Sequence, residues 1–301
     1  MPGEFEFIDW VRAQAPSRPD LPIPPGDDLA ALRWPAGDLL LVGADQVLDG
    51  VHVDSTVHSP QDIGRKAMNR NLSDCAAMAC LPAAAVVTAA LPRGTPIEYA
   101  KELYRGMKSA ADAFDCPIVG GDTATWGERL AISVAILGRS AGVDPIRRSG
   151  AKPGDLICVT GPLGGSIRGR HVTFEPRVRL ARELARRLEI TAMIDLSDGL
   201  SRDLRHVCRE SGVGAIVDAG RLPIHDDVYA VQRPRWSAAE HAAHDGEDYE
   251  LLFTTPAVDS EAVCGLDVYP IGEITADRAI IWNTARGREP LEPRAWEHRF
   301  S

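Results

Sequence analysis

The segment Ala192-Met193-Ile194-Asp195-Leu196-Ser197-Asp198-Gly199-Leu200 decides the fold class. In it a short apolar run ends at a carboxylate and a glycine-containing turn follows. The helical pattern of 200–211, ended by Gly212, then predicts a helix. In open α/β folds, ligands collect at the carboxyl ends of strands. We therefore expect Asp195 to lie at a ligand site.

Strand and helix patterns alternate outward from this segment over the whole chain. Apolar runs predict strands at 39–42, 85–90, 130–137, 156–159, 215–217, 251–254 and 279–282. Helical spacing predicts helices at 61–80, 97–114 and 177–188, the last with Pro176 in its first turn. A Gly-, Pro- and charge-rich stretch at 139–154 separates two parts. We predict an α/β (α+β) protein with domains at 1–140 and 150–301.

Composition excludes several classes of function. The chain has 301 residues, 45% of them hydrophobic, and a formal net charge of −10. Because nucleic acids and anionic membranes attract basic proteins, we predict neither as a partner. No apolar run approaches a membrane span, and the acidic N-terminus does not resemble a signal peptide, so we predict a cytoplasmic protein. The six cysteines form no C-x-x-C pair, which predicts buried free thiols.

The acidic residues are concentrated in turns. The clusters are Gly26-Asp27-Asp28, Gly43-Ala44-Asp45, Asn71-Leu72-Ser73-Asp74, Gly120-Gly121-Asp122, Asp195–Gly199 and His244–Glu250. A single Asp in such a turn is explained by turn formation or helix capping. Asp74, however, falls inside a predicted helix among apolar neighbours, where a carboxylate needs a cation or strong donors. Many Asp residues without a His/Cys cluster favour Mg²⁺ and polyphosphate over zinc or copper.

Two further motifs leave alternatives open. The usual phosphate-binding glycine motifs are missing from the sequence. The loop 161–166, which follows a predicted strand, is either a phosphate cradle built from backbone N–H groups or a plain tight turn. The pair His241-x-x-His244 is placed to bind a metal if it is helical, but we favour a solvated helix end.

Taken in order, the motifs resemble the thiamine-monophosphate kinase family, which shares a superfamily with aminoimidazole ribonucleotide synthetase and selenophosphate synthetase. The resemblance runs nearly end to end, and it depends on the order and spacing of the motifs. They are Gly3-Glu4-Phe5, Gly26-Asp27-Asp28, Asp45–His52, Lys66–Asp74, Gly120–Thr123, Arg148–Asp155, Thr160-Gly161, Ile194–Leu200, Gly246–Leu251 and Ala295–His298.

The resemblance implies an activity: direct in-line transfer of the γ-phosphate of ATP to thiamine monophosphate, helped by several Mg²⁺ ions. It leaves open a need for a monovalent cation. It also implies a homodimer, in which strands of the two N-terminal domains make a β-barrel, and a C-terminal α/β domain. The resemblance also implies that the N-terminal domain binds ATP and Mg²⁺ and forms the dimer.

The resemblance assigns roles to individual residues. The implied metal ligands are Asp27, Asp45, Asp74, Asp122, Asp195 and Asp198, with Asp45 and Asp122 as the catalytic pair. The implied ATP contacts are Tyr104, Gly121, Asp122, Arg148 and Ser197, and the implied substrate contacts are His52, Glu247 and Trp296. Taken alone, His52 fits a core histidine, Trp296 a packing residue and Tyr104 a helix-surface aromatic.

The motif at Asp45 departs from the family pattern. The family usually has Thr-Asp-Thr where this chain has Ala44-Asp45-Gln46. Ala44 offers no side-chain oxygen, so one metal contact is missing. Two alternatives stay open: another ATP-dependent enzyme of the superfamily, such as an aminoimidazole ribonucleotide synthetase, or, because of this departure, a nucleotide-binding protein without catalysis.

Overall fold

The computed structural model describes residues 4–14, 16–21, 32–231, 236–259, 263 and 265–294. Backbone contacts divide the chain into two compact units. Unit 1 comprises Met1–Cys75 and Cys80–Gly142, and unit 2 comprises Ala76–Ala79 and Val143–Ser301. Within the described ranges, every helix is too short or too polar to cross a membrane.

Unit 1 is built on a four-stranded sheet. In chain order its elements are α1 (Glu4–Ala13), β1 (Leu40–Leu48), α2 (Pro60–Ala77), β2 (Leu81–Pro92), α3 (Ile97–Asp112), β3 (Ile118–Trp126) and β4 (Ala131–Arg139). The sheet order is β1-β4-β2-β3, and only β2 and β3 run parallel. The predicted strands and helices of this part are confirmed. We did not predict β3, because its Gly- and Thr-rich sequence lacks an apolar run.

Helices α2 and α3 pack against each other almost backbone to backbone. A Cβ atom at Gly64 would lie 2.0 Å from the carbonyl oxygen of Leu103, and one at Gly106 would lie 2.0 Å from that of Gln61. Only glycine leaves room for this approach, which sets the position of α2 and its polar side chains.

One face of the unit 1 sheet exposes several large apolar side chains. Leu40, Val42, Val86 and Trp126 keep 53%, 69%, 37% and 41% of their surface accessible. The four strands form an open sheet in a single chain, whereas the family resemblance implied a barrel made by two chains.

Unit 2 contains a seven-stranded mixed sheet. Its elements are β5 (Asp155–Val159), α4 (Arg170–Thr173), α5 (Val178–Arg187), β6 (Ala192–Asp195), α6 (Leu200–Ser211), β7 (Gly214–Asp218), α7 (Ala238–His244), β8 (Leu251–Pro256), β9 (Tyr269–Thr275), β10 (Ile280–Thr284) and β11 (Gly287–Pro290). The order is β11-β10-β7-β9-β5-β8-β6. Its core includes Ile157, Leu204 and Val217. This confirms the predicted α/β class and the strand–helix reading of 192–211.

The cysteines behave as predicted within the described part of the chain. Five of them are buried free thiols, namely Cys75, Cys80, Cys116, Cys158 and Cys208.

Candidate active site

The acidic loop after β6 is held by a residue of the helix that follows it. Asp195 is buried at the end of β6, and α6 begins at Leu200. Asp203, in the first turn of α6, accepts the backbone N–H groups of Asp198 and Gly199 at 3.1 and 3.0 Å. Burial, together with the charges of Asp195 and Asp198, raises the pKa of Asp203 well above its usual value. Three carboxylates therefore crowd one loop.

This crowding fits a hard cation. Ligand atoms of Asp198, Asp203 and His206 all lie within 4.8 Å of one another. Burial, followed by the positive charge of Arg148, lowers the pKa of His206. Carboxylate oxygens are the ligands that Mg²⁺ prefers, so the residues of this loop fit Mg²⁺. Asp203 is not among the site residues predicted from the sequence, although an acidic residue in the first turn of a helix is a recognisable signal.

The segment that carries Glu247 is paired with this loop. The backbone N–H of Glu247 donates to the carbonyl oxygen of Ser197 at 2.8 Å, and Leu196 makes further backbone bonds with the same segment. A Cβ atom at Gly246 would lie 2.8 Å from the carbonyl oxygen of Asp198, and Gly246 has φ +74°. Glycine is therefore needed here. Unit 2 thus brings Ser197, a predicted ATP contact, beside Glu247, a predicted substrate contact.

The backbone around Glu247 is strained and supported by side chains. Glu247 and Tyr249 both have φ +53°, a left-handed conformation that non-glycine residues rarely adopt. Nδ1 of the buried His171 lies 3.2 Å from a carboxylate oxygen of Glu247. Tyr249 stacks on Phe174 with ring centroids 3.8 Å apart. Strain of this kind concentrates at functional sites, and here it fixes the direction of the Glu247 side chain.

The glycine loop 161–166 of unit 2 is a tight turn whose N–H groups donate hydrogen bonds within the unit. Gly164 donates to Asp248 at 2.9 Å, and Gly165 donates to Asp245 at 2.8 Å. Since carboxylates of the same unit already accept these two bonds, the structure favours the plain-turn alternative over a phosphate cradle.

The His-x-x-His pair lies in a buried helix, so our expectation of a solvated helix end is wrong. His241 and His244 are both buried in α7. Nδ1 of His241 lies 3.0 Å from both carboxylate oxygens of Asp245, and Nδ1 of His244 lies 2.8 Å from the hydroxyl of Ser201. Burial lowers the pKa of His244 to about 4. Both rings therefore support the fold around the loop.

In unit 1, Asp122 belongs to a polar row on the exposed sheet face. The strand register aligns Gln46, Ser133, Thr88 and Asp122 across all four strands. These four side chains line an open cavity of about 200 Å³. Neighbouring residues on a strand point to opposite faces, so Gly121 lies in the next row on the other face.

Asp45 lies on the face opposite Asp122. Its carboxylate forms a two-point ion pair with Arg70 of α2, with Nε–Oδ2 at 2.5 Å and Nη2–Oδ1 at 3.0 Å. Ala44 supplies no side-chain oxygen beside it. Whereas the loop after β6 fits Mg²⁺, the surroundings of Asp45 do not, because a guanidinium holds both of its oxygens. Sequence reasoning gave no signal for Arg70, since its partner lies 25 residues away.

Helix α2 positions two further predicted site residues: it contacts His52 through Lys66, and it carries Asp74. Nδ1 of His52 accepts the backbone N–H of Leu48 at 3.1 Å, and the His52 carbonyl accepts a bond from Nζ of the fully buried Lys66 at 2.6 Å. Asp74 is half-buried on α2, inside a helix as predicted.

Close packing fixes the positions of Tyr104 and Gly121, the two other predicted ATP contacts of unit 1. Tyr104 is buried on α3 and meets Trp10 edge to face at 5.5 Å. Burial raises the pKa of Tyr104 to about 12. A Cβ atom at Gly121 would lie 2.0 Å from the carbonyl oxygen of Val87, so β3 requires glycine there. Asp27 and Trp296 lie outside the described residues.

Two family models match the chain, one on each side of residue 142. "AIR synthase related protein, N-terminal domain" matches residues 26–140, and "AIR synthase related protein, C-terminal domain" matches residues 152–283. Fold and acidic site therefore define an AIR synthase related protein. Thiamine-monophosphate kinase of Rhodopirellula baltica is 38% identical over 291 residues, covering 93% of this chain and 91% of that protein. The chain belongs to the thiamine-monophosphate kinase family.

Solved structures agree with this assignment. The thiamine-monophosphate kinase of Stenotrophomonas maltophilia K279a has a TM-score of 0.81 and 32% identity, covering 93% of this chain and 96% of that one. AaThiL complexed with AMPPCP and TMP has a TM-score of 0.78 and 28% identity, covering 99% and 97%. The resemblance read from the sequence motifs is confirmed.

Proposed function

We propose that this protein transfers the γ-phosphate of ATP to thiamine monophosphate and so makes thiamine diphosphate. The observation that carries the proposal is the complex of AaThiL with AMPPCP and TMP, which aligns over 99% of this chain. AMPPCP is an ATP analogue whose γ-phosphate is not transferred, so that complex holds a donor analogue and an acceptor together.

We propose roles for the residues according to the family motifs that they match. Tyr104, Gly121, Asp122, Arg148 and Ser197 contact ATP, and His52, Glu247 and Trp296 contact thiamine monophosphate. Asp27, Asp74, Asp122, Asp195 and Asp198 hold Mg²⁺, whereas Asp45 is paired with Arg70. We also assign ATP binding, Mg²⁺ binding and dimerisation to residues 1–140.

The reaction needs placement of two anions more than covalent help from the protein. A phosphate oxygen of thiamine monophosphate attacks the γ-phosphorus, the bond from that phosphorus to the bridging oxygen breaks, and ADP leaves with the electron pair. Mg²⁺, when bound, neutralises phosphate charge. Asp203 holds the loop that presents Ser197 and Asp198, and His171 holds Glu247 beside it. These contacts keep both groups in place before substrates arrive.

We propose a homodimer that covers the exposed sheet face of unit 1. The support is the exposure of Leu40, Val42 and Val86 on one face of the sheet, because monomers rarely leave large apolar patches uncovered. Light scattering should give twice the chain mass of 32.5 kDa. A mass equal to that of one chain would refute this part of the proposal.

A non-catalytic nucleotide-binding protein is the second candidate, favoured by Ala44 and by the Arg70–Asp45 pair. The test is to incubate the protein with ATP, Mg²⁺ and thiamine monophosphate and to detect thiamine diphosphate by mass spectrometry. We expect product from the wild type and at least a hundredfold less from Asp122→Ala. ATP binding without product would favour the second candidate. ADP release with an amide-bearing ribonucleotide instead would favour another enzyme of the superfamily.

A further inference from the structure

The cation that neutralises Asp45 is a side chain of the protein. Both oxygens of the Asp45 carboxylate are bonded to the guanidinium of Arg70, at 2.5 and 3.0 Å. The side chains are only 14% and 29% exposed for Arg70 and Asp45, respectively, so water screens the pair weakly. Planar two-point pairing of this kind is the strongest contact that a carboxylate makes with a side chain.

Helix α2 holds Arg70 in place. Lys66, Arg70 and Asp74 follow one another at intervals of four residues, so they share one face of the helix. The crossing of α2 with α3 at Gly64 leaves little freedom for the helix to shift. Arg70 is therefore a fixed positive charge beside β1.

The surroundings of Asp45 lack the oxygen ligands that a metal would need. Mg²⁺ is held by several oxygen ligands in near-octahedral geometry. Ala44 contributes no side-chain oxygen, and both oxygens of Asp45 are already engaged.

We propose that Arg70 takes the place of one Mg²⁺ in this protein, so that Asp45 carries no metal and the site works with one cation fewer. The inference rests on the proposed function, because the phosphates of ATP are the anions that these charges serve. Arg70 is a positioning residue for Asp45 and a fixed cation beside β1.

The test is to count bound Mn²⁺, used as a paramagnetic substitute for Mg²⁺, by electron paramagnetic resonance. The full chain is titrated with Mn²⁺ in the presence of AMPPCP and without thiamine monophosphate. We expect Asp45→Asn to bind the same number of Mn²⁺ ions as the wild type. We expect Arg70→Gln to bind about one more, because Asp45 becomes available as a ligand.

Two variants control for folding and charge. Arg70→Lys keeps the positive charge and should keep the wild-type count. Arg70→Gln with Asp45→Asn removes both charges and should lose the additional ion. Melting followed by circular dichroism checks each fold, and Mn²⁺ should raise the melting temperature of Arg70→Gln more than that of the wild type.

Two results would overturn the inference: loss of a Mn²⁺ ion in Asp45→Asn, or an unchanged count in a folded Arg70→Gln. Thiamine diphosphate formation is measured separately. If the wild type makes none while the Mn²⁺ counts follow the expectation, the proposed function fails and the role of Arg70 stands.

Discussion

Replacing Gly246 with alanine should separate the acidic loop from the segment that carries Glu247. Gly246 has φ +74°, where an alanine costs about 1–2 kcal/mol. Its Cβ would also lie 2.8 Å from the carbonyl oxygen of Asp198 and 3.2 Å from that of Ser197, below the 3.4 Å of ordinary contact. The two peptides must therefore move apart by several tenths of an ångström.

This movement breaks backbone hydrogen bonds between the two segments. The bond from Glu247 N–H to Ser197 is 2.8 Å long, and the bond from Tyr249 N–H to Leu196 is 2.9 Å long. Each contributes about 1 kcal/mol to stability. Together with the conformational cost, Gly246→Ala should lower the free energy of unfolding of unit 2 by about 3–4 kcal/mol.

Gly212 provides a matched control in the same unit. Its φ is +72°, and only the tip of Arg278 approaches a Cβ atom placed there, at 4.0 Å. Gly212→Ala should therefore cost only the conformational part, about 1–2 kcal/mol. Urea unfolding gives both values. Calorimetry with AMPPCP should show affinity weakened about tenfold in Gly246→Ala alone, because Ser197 is displaced. Equal losses of stability with wild-type affinity in both variants would refute the reasoning.

Three other side chains allow direct tests. His171→Ala should raise KM for thiamine monophosphate about tenfold and leave KM for ATP unchanged in steady-state kinetics, because His171 holds Glu247; equal rises in both constants would contradict this. Arg177→Ala should cost about 3–5 kcal/mol in urea unfolding, because it leaves the buried Glu250 carboxylate without its two-point partner; Arg177→Met combined with Glu250→Gln should recover most of that loss. Burial raises the pKa of Asp248 from 3.8 to about 7, so the folded state keeps a proton that the unfolded chain releases; its contribution is complete below pH 3.8 and is lost as the pH rises through 7. Asp248→Asn should therefore lose less stability than the wild type between about pH 4 and 7, measured as urea midpoints, and an identical loss would show that Asp248 is not responsible.

Local patterns accounted for most of the elements. The helices over 60–77, 97–112 and 200–211 have long periodic patterns, and sequence reasoning found each within three residues at either end. Strand β3 was missed because Gly120 and Gly121 stand where a strand pattern has apolar residues. Its strand conformation comes from pairing with β2, which begins about 37 residues earlier in the chain.

The candidate site, too, was predictable from the sequence only in part. The order of the acidic motifs placed the chain in its family, because each motif is a short local signal read in sequence. The loop from Asp195 to Gly199 was also evident, since a strand end, a turn and a helix start are consecutive there. The partners of these motifs were not evident. Asp203 is a near neighbour, but its role depends on where the loop folds back.

By itself, the sequence determined the class, the acidic motifs and the secondary structure that carries them. Only the tertiary structure decided that Asp122 lies in a polar row of the exposed sheet face while Asp45 faces α2 and pairs with Arg70. It also decided that the backbone N–H groups of Gly164 and Gly165 donate hydrogen bonds to Asp248 and Asp245. The physical reason is that helix and strand periods are local, whereas sheet register and ion pairing join residues far apart in the chain, and packing alone selects those partners.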